Sequence, residues 1–122
     1  MPILDVTLVL DDGASAAPDL AQRLADAAGQ HFGAAPGTVW VSVHVLPAAS
    51  YAENGVATAD TPRPVFVRLL QAAAGDPAGR ADEAAALTQR LAHALGRDPD
   101  CVHLLFEPAA AGRVAFGGRL RT

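Results

Sequence analysis

Leu20-Ala-Gln-Arg-Leu-Ala-Asp-Ala-Ala-Gly29 returns as Leu87-Thr-Gln-Arg-Leu-Ala-His-Ala-Leu-Gly96, identical at seven of ten positions. The flanks repeat with it. Each copy is preceded by an extended run that opens with proline, Pro2-Ile-Leu-Asp-Val-Thr-Leu-Val-Leu10 and Pro64-Val-Phe-Val-Arg-Leu-Leu-Gln71. Each is followed by a second extended run, Val39-Trp-Val-Ser-Val-His-Val-Leu46 and Val102-His-Leu-Leu-Phe-Glu107, and then by Pro-Ala-Ala at Pro47 and Pro108. The chain therefore reads as two βαβ units in tandem, residues 2–55 and 64–122, within one domain spanning 1–122.

The repeated segments carry helical periodicity. A first helix is expected over Pro18–Phe32, with Leu20, Leu24, Ala27, Ala28 and Phe32 as its apolar stripe, and a second over Ala81–Leu95, stopped by Gly96. The flanking runs alternate with period two, so each strand has one wholly apolar face. In the first, Leu4, Val6 and Leu8 oppose Ile3, Asp5, Thr7 and Val9; in the third, Val65, Val67 and Leu69 oppose Phe66, Arg68 and Leu70. The fold class is thus α/β (α+β): a four-stranded sheet with two helices on one face. The second face is semi-polar, with Trp40, Ser42, His44, Arg68 and His103 among apolar neighbours. Such a face is too apolar for open water and too polar for a helix-packed core, which points to a homo-oligomer closing around it. Arg68 should be paired on this face, with Glu107 or Asp5. The segment Ala48–Arg63 is expected to be a mobile loop, and the tail from Gly112 a turn and short strand.

Composition narrows the function. The chain has 122 residues, a net charge of −4 and no apolar run long enough to span a membrane. The N-terminus lacks a secretory leader pattern, so a cytoplasmic protein is expected. The basic residues are few and scattered, which argues against nucleic acid as a partner. Cys101 is the only cysteine and reads as a buried small side chain. The four histidines show no metal spacing, so no metal and no cofactor are expected. Nucleophile-elbow, P-loop and GxGxxG signatures are absent. All nine basic residues are arginine. Any amine acting as base or nucleophile must then be the N-terminal one.

Proline directly after the initiator methionine, a strand, helix and crossover strand, and an aromatic-plus-Gly-Gly hairpin at Phe116-Gly117-Gly118 together resemble the tautomerase superfamily, which includes 4-oxalocrotonate tautomerase and macrophage migration inhibitory factor. The resemblance covers nearly the whole chain and is nearest to fused members, in which two βαβ units share one polypeptide and three chains form a trimer. It implies that Met1 is removed and that Pro2 is the general base. A secondary amine in a partly desolvated pocket near cations should titrate low, because both surroundings disfavour the ammonium. Pro64 opens the second unit, but its nitrogen is an amide, so one unit is chemical and the other structural.

Other family residues carry over unevenly. Positions where 4-oxalocrotonate tautomerase places arginines are here Asp12 and Trp40, so its grip on a dicarboxylate is not preserved. Tyr51 falls where the family has an aromatic, and Glu53 where hydrating and dehalogenating relatives have a water-activating acid. The expected catalytic residues are Pro2 and Glu53. The expected substrate-binding residues are Tyr51, Trp40, Phe116, Arg119 and Arg121, with Arg68 and Arg113 as further cations. The leading expectation is a cofactor-independent keto–enol tautomerase, an isomerase acting on a small 2-hydroxy-alkenoate or 2-oxo acid, as a homotrimer. The alternatives are hydration or dehalogenation of an unsaturated acid through Pro2 and Glu53, or a non-catalytic trimeric binding protein.

Overall fold

Alternation along the first strand sets the frame of the molecule. The computed structural model describes residues 1–73 and 75–122. In it, β1 (Pro2–Leu10) buries Leu4, Val6 and Leu8 on one face and exposes Asp5 on the other. Its parallel neighbour is β2 (Trp40–Pro47), and its antiparallel neighbour is β3 (Val65–Gln71). β4 (Val102–Phe106) then pairs in parallel with β3, giving the order β2-β1-β3-β4. The centre of the register is Val6 opposite Val67, flanked by Leu4 opposite Leu69 and Leu8 opposite Val65. The two units run in opposite directions about this pair. Pro2 consequently lies opposite Gln71, whereas Pro64 lies at the other end, where its carbonyl accepts a hydrogen bond from the Val9 amide at 3.1 Å.

Both helices cover the same face. Leu20, Leu24 and Ala28 of α1 (Leu20–Phe32), and Leu87, Leu91 and Ala92 of α2 (Pro77–Leu95), are buried against Leu4, Val6, Val65, Val67 and Leu69. The matching decapeptides thus place matching leucines in one core. The helix stops agree with the sequence: Gly33 and Gly96 take the left-handed conformation that ends each helix. The starts differ. α1 begins at Leu20 because Pro18 and Asp19 form a turn before it, and the Asp19 side chain makes no capping bond. α2 begins four residues earlier than the apolar stripe indicates. Its opening turn is exposed, and it is set by polar chemistry: Asp76 accepts a hydrogen bond from the Gly79 amide at 2.6 Å, and Pro77 occupies the first helical position.

The segment Ala48–Arg63 is more structured than its Gly, Asn and Pro content suggests. Short 3₁₀ turns occupy Ala48–Ser50 and Thr58–Asp60, and Glu53 bridges to Val56. Arg63 ties down its end through Nε to Asp11 at 2.8 Å, and Arg97 reaches the Arg63 carbonyl at 2.6 Å. At the C-terminus, β5 (Ala115–Phe116) and β6 (Arg119–Leu120) form a hairpin joined by Gly117 and Gly118. Both glycines have positive φ, 57° and 83°, as a two-residue hairpin turn requires, so side chains there would strain it.

Neither helix packs on the second face of the sheet, where Tyr51 meets Phe66 at one end and Phe116 meets Trp40 at the other. Arg68 pairs with Glu107 at 3.0 Å, and Asp5 instead accepts from Ser42 Oγ and lies 3.1 Å from His44 Nε2. His44 and His103 are exposed on this face rather than enclosed. Cys101 ends a 3₁₀ turn before β4 and is only half-buried. Among the described residues, no helix is long and apolar enough to cross a membrane.

Candidate functional site

Pro2 is buried at the start of β1, and the residues around it come from three parts of the chain. β2 runs parallel to β1 with Trp40 opposite Ile3, so the turn that enters β2 delivers Gly37, Thr38 and Trp40 beside Pro2. The C-terminal hairpin crosses to the same edge and sets Phe116 against Trp40, ring centres 5.2 Å apart and planes at 84°. The Trp40 indole N–H donates to the Gly37 carbonyl at 3.1 Å, which fixes its ring. With Met1, Pro2 and Ile3 these residues line a cavity of about 210 Å³, a volume suited to a small organic acid. The lining is mostly apolar. Met1 forms part of this lining, and the nitrogen of Pro2 is a peptide nitrogen while Met1 stays attached.

Of the sequence-expected site residues, Pro2, Trp40 and Phe116 converge. Tyr51 and Glu53 do not join them within the chain. Tyr51 packs toward Phe66, ring centres 6.2 Å apart, and Phe66 lies opposite Thr7, five residues along β1 from Pro2. At a strand's rise per residue this is about 16 Å away, at the end where Pro64 begins. The aromatics that share a cavity with Pro2 in this chain are therefore Trp40, from the first unit, and Phe116, from the second. Asp12 is also at the far end, where its carboxylate accepts from the Ala49 amide at 3.0 Å and anchors the turn after β2. Arg119 and Arg121 are exposed on the hairpin; the Arg121 backbone pairs with Gly112 and Val114, closing the hairpin base. The alternation of β1 and β2 pairs Ile3 with Trp40, but only the tail's path supplies Phe116, and no local sequence signal reports that path. Gly37 and Thr38 went unnoticed in the sequence, although Pro36-Gly37 before an alternating run marks a strand-entry turn.

The Tyr51 hydroxyl donates to Glu53 Oε2 at 2.6 Å. This hydrogen bond, then burial, then the nearby carboxylate charge raise the Tyr51 phenol above its ordinary 10.0. A raised pKa in the folded state means that the stabilisation is complete below the unfolded value, near pH 10, and is lost as pH rises through the folded one. Tyr51 is the only tyrosine, so phenolate absorbance titrates it alone. A midpoint above 10 is expected, falling back toward 10 in Glu53→Ala, which removes the acceptor; an identical midpoint in that variant would contradict the hydrogen bond.

No family model and no curated protein sequence matches the chain. Solved structures do match it. A symmetric trimer of wild-type fused 4-OT superposes with a TM-score of 0.74 at 21% identity, covering 98% of this chain and 94% of that one. The chain has the tautomerase fold. A second structure, solved after inactivation by 2-oxo-3-pentynoate, has a TM-score of 0.69 at 22% identity, with the same coverage of 98% and 94%. A third, FG41 malonate semialdehyde decarboxylase inhibited by 3-bromopropiolate, has a TM-score of 0.68 at 15% identity, over 94% of this chain and 88% of that one. The tautomerase fold accounts for the four-stranded order β2-β1-β3-β4 with both helices on one face.

Proposed function

We propose that this protein is a cofactor-independent keto–enol tautomerase acting on a small 2-hydroxy-alkenoate or 2-oxo acid, with the amine of Pro2 as its base once Met1 is removed. The observation that carries the reading is Pro2 buried in a small apolar cavity walled by Trp40 and Phe116. An amine in such a place loses hydration, which disfavours its ammonium form and leaves a free base near neutral pH. The base takes the enol proton, the electron pair shifts through the conjugated system, and the pyrrolidinium returns the proton to carbon, so the substrate is isomerised without net gain or loss. The neighbours inactivated by 2-oxo-3-pentynoate and inhibited by 3-bromopropiolate support a small unsaturated acid as the ligand class.

A homotrimer completes the proposal. The exposed large apolar side chains Trp40, Val45, Val56 and Leu120 lie on the edge strand β2, in the Glu53–Val56 bridge and in the terminal hairpin, where a neighbouring protomer would cover them. The solved fused trimer supports that arrangement. In this reading Tyr51 and Glu53, distant from Pro2 within the chain, take part only through trimerisation, and hydration through Glu53 carries the same requirement.

The test is the ketonisation of a simple aryl enolpyruvate, followed by ultraviolet absorbance, with protein whose intact mass shows Met1 removed. A rate well above background is expected, declining as acid protonates the amine. Protein retaining Met1 should show background only, because an amide nitrogen is not a base. Equal rates from both forms overturn the proposal.

A further inference from the structure

A substrate carboxylate needs a cation beside Pro2, and with no lysine in the chain the choice within a protomer is confined to nine arginines. The structure separates them. Arg63 and Arg97 lie at the Pro64 end, occupied with Asp11 and with backbone carbonyls. Arg23 pairs with Asp19 on α1, Arg90 lines the outer groove between the helices, and Arg80 lies over Phe106. Arg113, Arg119 and Arg121 are all exposed, but Arg119 and Arg121, on the hairpin, line neither the Pro2 cavity nor the one beside it. Arg68 and Arg113 remain, lining a cavity of about 360 Å³ on the open sheet face that shares Ile3 with the Pro2 cavity.

Their charges are not equally available. Arg68 is neutralised by Glu107 at 3.0 Å, and Asp5, the other carboxylate there, is engaged by Ser42 and His44. Among the described residues no carboxylate pairs with Arg113. The backbone also ties Arg113 to the catalytic end: its amide donates to the Ala110 carbonyl at 2.8 Å, and the Ala110 amide donates to the carbonyl of Gln71, the residue opposite Pro2. We infer that Arg113 is the carboxylate-binding residue of the Pro2 site, in place of the tail arginines Arg119 and Arg121. The inference rests on the proposed function. Its ligand is a small 2-oxo or 2-hydroxy-alkenoic acid lying across Ile3, with the reacting carbons in the Pro2 cavity and the carboxylate toward the guanidinium.

Trp40 is the only tryptophan and lines the Pro2 cavity, so its fluorescence reports occupancy without turnover. Titration with pyruvate and 2-oxobutanoate, and with their methyl esters, is the test. Arg113→Ala should weaken the acids roughly tenfold or more, the scale of a charge-assisted hydrogen bond. It should leave the esters unchanged, and Arg113→Lys should restore part of the loss. An Arg119→Ala/Arg121→Ala double variant should bind the acids like wild type. Equal acid affinity in wild type and Arg113→Ala overturns the assignment, as does a wild-type protein whose fluorescence no acid alters. Loss confined to the double variant returns the role to the tail. Binding that depends on Arg113 in a protein whose turnover ignores Pro2 would keep this inference and remove the tautomerase reading.

Discussion

Pro2→Ala is expected to lower turnover of an aryl enolpyruvate by about a hundredfold or more, the lower end of the range for losing a positioned general base. Alanine also ends in an amine once Met1 is gone, so the variant tests placement rather than the mere presence of a base. In the wild type the pyrrolidine ring fixes φ and is itself buried, which leaves the nitrogen few orientations. An alanine amine rotates freely and holds water more readily. A displacement on the order of 1 Å costs roughly a hundredfold when proton transfer depends on alignment. The fold should survive, because Pro2 starts its strand and alanine tolerates the same extended backbone. The measurements are kcat on the enol and a urea midpoint on the same preparation. Turnover equal to wild type would remove the base from Pro2; a lowered midpoint would show that the loss is partly structural.

Much of this arrangement was legible in the sequence because it is periodic. The decapeptide repeat fixed two helices, the alternation in four runs fixed which residues face them, and the matching proline starts fixed two units. Leu20, Leu24, Leu87 and Leu91 are all buried as the stripe requires. What periodicity does not encode is long-range direction. Tyr51 lies a few residues after β2 and appeared able to serve Pro2, yet β2 runs away from Pro2, so whatever follows it starts at the far end. Phe116 reaches the Pro2 cavity for the complementary reason. β4 runs from the Pro64 end to the Pro2 end, and the tail then crosses to Trp40. The start of α2 was missed for a different cause. Its first turn is exposed and shows no apolar stripe, so the signal lay in Asp76-Pro77, a polar cap rather than a hydrophobic period. Arg113 was visible as a cation but not as an available one, because availability depends on Arg68 having taken Glu107.

Leu24→Ala and Leu91→Ala are each expected to destabilise the protein by about 2–5 kcal/mol, a large share of the roughly 5–15 kcal/mol that holds a domain of this kind together. The two leucines occupy the same place in the repeat, and both are fully buried, at 0% exposure, in one core cluster. Truncation removes buried methyl groups and leaves a void between a helix and a sheet whose close packing limits collapse. Because the two units meet the sheet in the same way about the Val6–Val67 centre, the losses should be similar. Urea midpoints must be compared at one protein concentration, since trimer assembly would make them depend on it. A loss below about 1 kcal/mol at either position would show that its helix does not close the core as described. The two kinds of variant also divide the molecule by function. Pro2→Ala should move the rate and spare the midpoint, whereas the leucine variants should move the midpoint. The reason is that the core cluster around Leu24 and Leu91 fixes the position of β1, whereas the proposed reaction uses only the first residue of that strand.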